Sequence, residues 1–233
     1  FMTIIKAVVN GRNIYRNIKN AILFLMSGNM AAILAVLFTS LVGLPLPFEP
    51  VHLLFINLLT DSLPAIAIGM EPADERLLKT HPRDPSESIL TKDFMLKILY
   101  QGAMICFVTM TAYEIGLQIN AELASTMAFI TLTLSRLFHG FNCRSNQSIW
   151  KLGLSSNIYS LYAFGGGVAL LSLVTFIPFL QGVFKVASLS GIDILSVVIL
   201  AFIPTILIQI GKVIIERKSR VVKISTKQGE GCR

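Results

Sequence analysis

Asp61 is the only acidic residue in the middle of a hydrophobic segment, and Asn57 lies four residues before it. A helix would place both side chains on one face, where a carboxylate and an amide present oxygen atoms together. A charged group at membrane depth is costly unless it is paired, solvated or coordinated. Because hard oxygen ligands suit Ca²⁺ and Mn²⁺, the pattern favours a cation site. The alternative is a protonated or locally hydrogen-bonded Asp61 that faces the protein interior.

The backbone beside Asp61 is predicted to be irregular. Pro64 has no N–H to donate to the carbonyl of Thr60, and its ring crowds that carbonyl. We therefore predict that the helix bends or unwinds over residues 60–64, which would expose backbone oxygens to a cation. Ca²⁺ takes about six to eight oxygen ligands, so other helices must supply most of them. Asn29 lies inside another apolar segment and suits either a ligand or a helix–helix hydrogen bond.

The composition indicates a membrane protein. Of the 233 residues, 54% are hydrophobic and only 14% are charged, which excludes a disordered chain and disfavours a soluble domain. Since a membrane-spanning helix needs about 20 mainly apolar residues, we predict an all-α membrane protein with six transmembrane helices. The predicted spans cover residues 20–43, 51–70, 94–117, 123–141, 158–180 and 192–215. The fourth span contains Arg136, whose side chain is predicted to reach the lipid headgroups.

Charge sets the predicted organisation and orientation. Residues 1–20 form a stalk that leads into the first span, residues 21–216 form the six-helix transmembrane domain, and residues 217–233 form a basic tail. All Lys and Arg residues except Lys185 then fall on the side of the two termini, which predicts that both termini are cytoplasmic. The membrane is predicted to be the plasma membrane. Basic flanks account for the net charge of +7, so nucleic acid is not an expected partner.

The sequence around Asp61 resembles one family of ion pumps. Residues 57–65 read Asn-Leu-Leu-Thr-Asp-Ser-Leu-Pro-Ala, similar to the N-L-x-T-D-x-L-P-A pattern in the sixth transmembrane helix of P-type calcium-transporting ATPases. Four further stretches resemble the stalk, the loop between the sixth and seventh helices and the end of the eighth helix in that family, and these are residues 11–19, 69–74, 82–85 and 138–148. Residues 151–215 match the family only in hydropathy.

The resemblance implies that this chain is the C-terminal half of a ten-helix transport domain. It implies an ATP-driven exporter of Ca²⁺, with Mn²⁺ as an alternative ion, surrounded by membrane lipid. The family's D-K-T-G-T phosphorylation motif does not occur in this sequence, so the chain alone is not expected to hydrolyse ATP. ATP and Mg²⁺ would act only through actuator, phosphorylation and nucleotide domains. Those domains and helices one to four of a parent pump are the expected partners.

The resemblance also implies which residues hold the ion. Asn57 and Asp61 match cation ligands of the family, and Thr60 and Asn29 match positions of a second site in the two-site pumps. That second site lacks charge here, because Ala32 and Ser145 stand where those pumps carry glutamates. Two lost carboxylates would leave a second Ca²⁺ uncompensated in a medium of low dielectric constant. We therefore expect one divalent ion per cycle, as in secretory-pathway-type and many bacterial calcium pumps.

Coupling to the cytoplasmic domains is expected at two places. In the family, the loop between the sixth and seventh helices contacts the phosphorylation domain, and it corresponds to residues 71–93 here. Asp74 and Arg83 of this loop, together with Arg12 and Tyr15 of the stalk, match positions that would carry the coupling.

Two other functions remain open from the sequence. A stand-alone secondary exchanger of cations and protons would use Asp61 as its carrier carboxylate and would need no ATPase domains. A fragment that does not transport ions would act as a partner or regulator. ATP dependence of transport separates the pump from the exchanger, and ion binding separates both from the regulator.

Overall fold

The structure is a computed structural model. The part of the chain that it describes contains helices and no strand. That part covers the backbone of residues 2–73 and 88–230 and the side chains of residues 3–73 and 88–217. In chain order the α-helices are α1 (Met2–Val42), α2 (Pro50–Phe55), α3 (Ser62–Gly69), α4 (Lys92–Leu117), α5 (Ala121–Cys143), α6 (Ile149–Leu152), α7 (Ile158–Phe176), α8 (Pro178–Phe184) and α9 (Gly191–Glu230). A π-helical turn, Ile56–Thr60, joins α2 to α3, and a 3₁₀ turn, Leu154–Ser156, precedes α7.

Local sequence explains where several helices begin. The side chains of Thr91, Asn120 and Asn157 each accept a hydrogen bond from a backbone N–H of the first turn that follows them. Such N-caps satisfy donors that have no partner inside the helix. They fix the starts of α4, α5 and α7.

Within the described residues, five helices are long and apolar enough to cross a membrane. They are Thr3–Val42, Pro50–Gly69, Lys92–Leu117, Ile158–Phe176 and Gly191–Arg217. The predicted all-α membrane fold is confirmed. The stalk and the first span form one continuous helix, α1, which contains no proline.

Helix α5 covers the predicted fourth span and lies at the centre of the bundle, in contact with α1, α4, α7 and α9. Of its 23 residues, 19 are buried, so its surface faces protein rather than lipid. A helix enclosed in this way does not need high hydropathy, which explains how α5 carries several Ser and Thr residues. The six-span topology stays a prediction.

Two predicted boundaries differ from the structure. The fifth span was expected over 158–180, but α7 ends at Phe176, and Pro178 begins the separate helix α8. Ile177 is extended (φ −89°, ψ 116°), because the residue before a proline is disfavoured in the α conformation. Residues 217–233 were expected to form a tail, yet the helical backbone of α9 continues through Glu230.

Close packing in the bundle depends on glycines that face α5. A Cβ atom at Gly116 would lie 2.7 Å from the Cα of Ala124, and one at Gly167 would lie 2.4 Å from Leu137 Cδ2. Both distances are far shorter than a van der Waals contact. Helices α4 and α7 therefore approach α5 because these side chains are absent.

A buried ion pair fastens one end of the bundle. Glu71, just after α3, accepts hydrogen bonds from Arg144 Nε at 2.9 Å and from Arg144 Nη2 at 3.1 Å. Asn157 Nδ2 donates to the same carboxylate at 2.8 Å, and Asn17 Nδ2 donates to the carbonyl oxygen of Glu71 at 2.8 Å. We call these four residues the Glu71 cluster. It joins α1, the end of α3, the end of α5 and the start of α7.

The Glu71 cluster generates a stability prediction. Arg144→Ala should lower the free energy of unfolding by about 3–5 kcal/mol, because it leaves the Glu71 carboxylate buried without its cation. Glu71 and Arg144 are 5% and 0% exposed. Thermal unfolding in detergent, followed by circular dichroism, measures the loss.

The matched control is an ion pair at the surface. Lys185 Nζ lies 2.9 Å from Glu49 Oε2, and the two side chains are 64% and 39% exposed. Lys185→Ala should therefore cost less than about 1 kcal/mol. Equal losses for the two variants would contradict the role assigned to the Glu71 cluster.

Candidate cation site

Asp61 stands at the junction between the π-helical turn and α3. Its backbone N–H donates to the carbonyl of Ile56, five residues earlier, at 2.8 Å, and Thr60 Oγ1 donates to the same carbonyl at 2.9 Å. The irregular backbone thus covers 56–60, just before the predicted stretch of 60–64. Pro64 follows within the first turn of α3, where it leaves the Thr60 carbonyl without its helical donor. π-Helical turns of this kind occur frequently at functional sites.

Asp61 forms a buried ion pair with Arg136 of α5. Each residue is 2% exposed. Asp61 Oδ1 and Arg136 Nε have no hydrogen-bond partner among the described residues. The prediction that Arg136 reaches the lipid headgroups is wrong. Since α5 is enclosed by other helices, the guanidinium has no lipid-facing route and is neutralised inside the bundle instead.

The guanidinium also binds the first span. Arg136 Nη2 donates to Asn29 Oδ1 at 3.1 Å, so one cationic side chain bridges α1 and the turn that carries Asp61. Asn29 was expected to be either a ligand or a partner in a helix–helix hydrogen bond. In this structure its amide oxygen makes the helix–helix hydrogen bond.

Gly28 makes room for the guanidinium. A Cβ atom at this position would lie 2.3 Å from Arg136 Nε and 2.5 Å from Arg136 Cζ. No side chain other than hydrogen fits without moving Arg136. The surface of α1 therefore forms one wall of the site. Gly28 lies directly against the guanidinium, and Asn29 lies at the edge of this wall.

The other ligands predicted on this segment differ from Asp61 in burial or in hydrogen bonding. Asn57, which was expected to share a face with Asp61, is exposed. Thr60 is buried, and its hydroxyl group is engaged by the Ile56 carbonyl. Pro64 packs toward α5, where a Cβ at Gly140 would lie 3.3 Å from Pro64 Cβ.

Ala32 and Ser145, the two positions at which a carboxylate was expected from the two-site pumps, lie in different parts of the structure. Ala32 is buried within the hydrophobic core. Ser145 comes after the end of α5, where its carbonyl accepts a hydrogen bond from Lys212 Nζ at 2.6 Å. Ser145 is thus separated from Asp61, and the residue that α5 presents to Asp61 is Arg136. The residue of α5 that pairs with Asp61 is therefore a cation.

A short polar cluster lies one helical turn along α5 from Arg136. His139 is fully buried, and its Nε2 lies 3.0 Å from Ser27 Oγ and 3.2 Å from Cys143 Sγ. The hydroxyl of Ser27 also donates to the Leu23 carbonyl at 2.7 Å. These contacts hold α1 against α5 directly beside Gly28, so they fix the wall on which the guanidinium rests.

Stalk residues bind the segment that follows α3. Asn13 Nδ2 donates to the Glu71 carbonyl at 3.0 Å, and Arg16 Nη2 donates to the Pro72 carbonyl at 3.1 Å. Arg12 and Tyr15, which were predicted to couple to other domains, lie on the same helix and are half-buried. Asp74 and Arg83 lie outside the described residues.

Sequence reasoning missed Arg136, Gly28 and Glu71 as functional residues. A signal for Arg136 was present, because it is the one basic residue well inside a predicted span and Asp61 is the one acid at that depth. Opposite charges in different spans favour each other. Gly28 gave no such signal, since its role depends on a distance between two helices.

The site combines a retained carboxylate with a built-in cation. Asp61 supplies the charge that would attract a divalent ion, and Asn29 supplies a neutral oxygen. The guanidinium of Arg136 occupies the space between them. The guanidinium engages Asp61 Oδ2, whereas Oδ1 has no hydrogen-bond partner among the described residues. Two oxygen ligands fall well short of what Ca²⁺ takes, so groups outside these residues must complete the shell.

Comparison with known proteins shows the family of this chain. The sequence profile of the family described as "Cation transporting ATPase, C-terminus" matches residues 45–214. The calcium-transporting ATPase of Bacillus subtilis is 36% identical over 211 residues, which cover 89% of this chain and 24% of the relative. Calcium-transporting ATPase 1 of Lactococcus lactis is 42% identical over 192 residues, with coverage of 82% and 22%. Human calcium-transporting ATPase type 2C member 1 is 34% identical over 198 residues, with coverage of 84% and 22%.

This chain spans about a quarter of the length of these relatives. The resemblance to the P-type calcium-transporting ATPases is confirmed for the C-terminal membrane region. From the profile match over 45–214 and the identities of 34–42%, the chain belongs to the cation-transporting ATPase family and corresponds to its C-terminal region.

Proposed function

We propose that this chain is the membrane-embedded ion path of an ATP-driven calcium exporter. The observation that supports this function best is the buried Asp61–Arg136 ion pair beside a π-helical turn. An ionisable pair at membrane depth is expensive and marks an ion pathway by default. The names of the similar proteins favour Ca²⁺ as the transported ion. Mn²⁺ prefers the same kind of oxygen ligand and is the second candidate.

Arg136 acts in this proposal as a tethered cation. In the ion-free state its guanidinium neutralises Asp61 and holds Asn29, which keeps the site closed. A divalent ion that enters must displace the guanidinium from the carboxylate. The ion then interacts with the negative charge of Asp61 in place of Arg136. After the ion leaves toward the other side, Arg136 returns. The carboxylate is therefore neutralised after release by an arginine of the same chain, without the need for a bound proton.

The same charges favour one ion per cycle. One carboxylate faces the site from the described residues, and one guanidinium partly offsets it. A second divalent ion would bring two more positive charges into a space that offers no further carboxylate from α1 or α5, because α1 carries no acidic residue and the α5 residue that contacts Asp61 is Arg136. Burial of unpaired charge at low dielectric constant opposes such binding.

Coupling to ATP would pass through α1. The domains that form the aspartyl phosphate belong to the parent pump, together with helices one to four. A pull on the stalk moves Gly28 and Asn29, because α1 is one continuous helix. The same pull reaches the end of α3 through Asn13, Arg16 and Asn17. The path thus links the stalk to both sides of the Asp61 site. Both termini lie on the cytoplasmic side of the plasma membrane in this proposal.

The three possible functions differ in whether ion transport depends on ATP and in whether the chain binds ions. A stand-alone exchanger would move ions across vesicles without ATP, and a regulator would not bind them. The proposed pump needs ATP in the full-length protein. Transport of ⁴⁵Ca²⁺ into inside-out vesicles, with and without ATP, separates the three functions.

Asp61→Asn tests the carboxylate. The variant should lose Ca²⁺-dependent phosphorylation of the full-length pump, because the amide is isosteric but carries no charge to hold a divalent ion. Transfer of ³²P from ATP at increasing Ca²⁺ measures this loss. Ser62→Ala, at an exposed position next to Asp61, is the control and should keep phosphorylation. Unchanged Ca²⁺ dependence in Asp61→Asn would overturn the site.

Arg136→Gln tests the tethered cation. Removing the competing guanidinium should raise the apparent affinity for Ca²⁺ by roughly tenfold, because the ion no longer has to break an ion pair. It should also slow turnover, since the carboxylate is left buried and unpaired after ion release. Arg136→Lys keeps the charge and should stay close to the unmodified protein. A Ca²⁺ affinity that does not rise in Arg136→Gln would contradict the competition.

Gly28→Ala tests the same competition without a change of charge. The added methyl group should push the guanidinium off its seat and destabilise the ion-free protein by about 1–3 kcal/mol. Ca²⁺ should restore part of this loss, because the ion-bound state has already displaced Arg136. Gly11→Ala is the matched control, since no atom lies within 4 Å of a Cβ there. Thermal unfolding with and without Ca²⁺ measures the loss of stability in the ion-bound and ion-free states. Equal losses of stability in the two conditions would count against displacement of Arg136 by the ion.

A further inference from the structure

A groove opens where the short helix α6 meets α9. It has a volume of about 540 Å³ and is lined by Ser148, Trp150, Lys151, Val213, Glu216 and Arg217. We call it the α6–α9 groove. It lies at the end of the bundle that carries the Glu71 cluster, because Arg144 immediately precedes this connection. Its volume falls in the range of small-molecule binding sites. The Asp61 site uses none of these residues.

The two walls of the groove are fixed to each other. Glu216 Oε1 accepts from the backbone N–H of Ser148 at 2.7 Å, and Glu216 Oε2 accepts from Ser148 Oγ at 3.1 Å. Two turns earlier on α9, Gln209 Oε1 accepts from the N–H of Ile149 at 2.9 Å. The groove is therefore pre-formed, and a ligand would not have to order it.

The electrostatics favour an anion. The carboxylate of Glu216 is engaged on both oxygens by Ser148, which reduces its influence on the rest of the groove. Lys151 and Arg217 are exposed and line the opening. The sequence then adds Lys218, Arg220 and Lys223 as α9 continues. This end of α9 is strongly basic.

The apolar residues place the groove at a membrane boundary. Trp150 is 87% exposed and is the only tryptophan of the chain. Tryptophan is enriched where hydrocarbon meets headgroups, because its ring is amphipathic. On α9, Ile214 and Ile215 are 50% and 67% exposed immediately before the charged residues begin. Acyl chains can cover these isoleucines while the basic residues face the headgroup layer.

We propose that the α6–α9 groove binds the headgroup of an anionic phospholipid. Lys151 and Arg217 contact the phosphate group, Trp150 packs on the glycerol region, and the exposed isoleucines of α9 contact the acyl chains. Basic pockets between transmembrane helices on this side bind anionic headgroups in other membrane proteins. A water-soluble protein segment does not fit as well, because the apolar part of the surface continues along a helix that spans the membrane.

Fluorescence quenching of Trp150 tests the site. The pump that contains this chain is reconstituted in nanodiscs of phosphatidylcholine that contain brominated phosphatidylglycerol or brominated phosphatidylcholine over the same series of mole fractions. The Trp150 signal is the difference between the unmodified protein and Trp150→Phe. Quenching should require roughly tenfold less brominated phosphatidylglycerol than brominated phosphatidylcholine, since each basic residue near the surface strengthens binding of anionic lipid.

Charge variants provide the controls. The preference for brominated phosphatidylglycerol should disappear in the double variant Lys151→Gln/Arg217→Gln. It should remain in Arg217→Lys, which keeps the cation. Lys6→Gln removes an exposed charge from the stalk and should leave the preference unchanged. Soluble glycerol phosphate at millimolar concentration should not compete, because it lacks acyl chains.

Four outcomes would overturn the proposal. Equal quenching by the two brominated lipids means that the groove has no headgroup preference. A preference that survives the double variant assigns it to other residues. Absence of quenching by either lipid places Trp150 in water or against another protein segment. Full competition by glycerol phosphate would show a site for a free phosphate ester instead of a lipid.

Discussion

The cost of a charged carboxylate at low dielectric constant organises this membrane region. Asp61 is enclosed by helices, and the structure neutralises it with Arg136 from a helix that is itself surrounded by protein. Three other features follow from this pair. Gly28 gives the guanidinium its space, Asn29 accepts a second hydrogen bond from it, and Asp61 itself lies at the end of the π-helical turn. Removing either charge leaves the other one buried, so the pair constrains every element around it.

A second buried ion pair repeats the connection at the end of the bundle. Glu71 and Arg144 lie ten and eight residues beyond Asp61 and Arg136, respectively, and they belong to the same two stretches of chain. The segment that carries Asp61 and helix α5 are thus fastened at two depths. Helix α1 contacts both levels through uncharged amides, Asn29 at one and Asn17 at the other. Amide hydrogen bonds are weaker than buried ion pairs.

Much of this arrangement could be predicted from the sequence, and the remainder has physical reasons. Asp61 indicates a functional site because a single acidic residue in an apolar segment is rare, and Pro64 predicts an irregular backbone close to it. The direction of Arg136 could not be predicted, because hydropathy does not tell whether a polar helix faces lipid or is enclosed. The exposure of Asn57 could not be predicted, because helical spacing does not tell which helices cover a given face. Gly28 and the Glu71–Arg144 pair depend on distances between residues far apart in the chain.

The built-in arginine has a consequence for the electrical behaviour of the proposed cycle. The empty site is formally neutral, because the charges of Asp61 and Arg136 cancel, whereas the loaded site carries the two charges of the divalent ion in addition. The membrane potential then acts on the step that carries the ion and leaves the return step unaffected. Each elementary charge moved through 100 mV is worth about 2.3 kcal/mol. The voltage sensitivity of such a pump would reside entirely in its outward stroke.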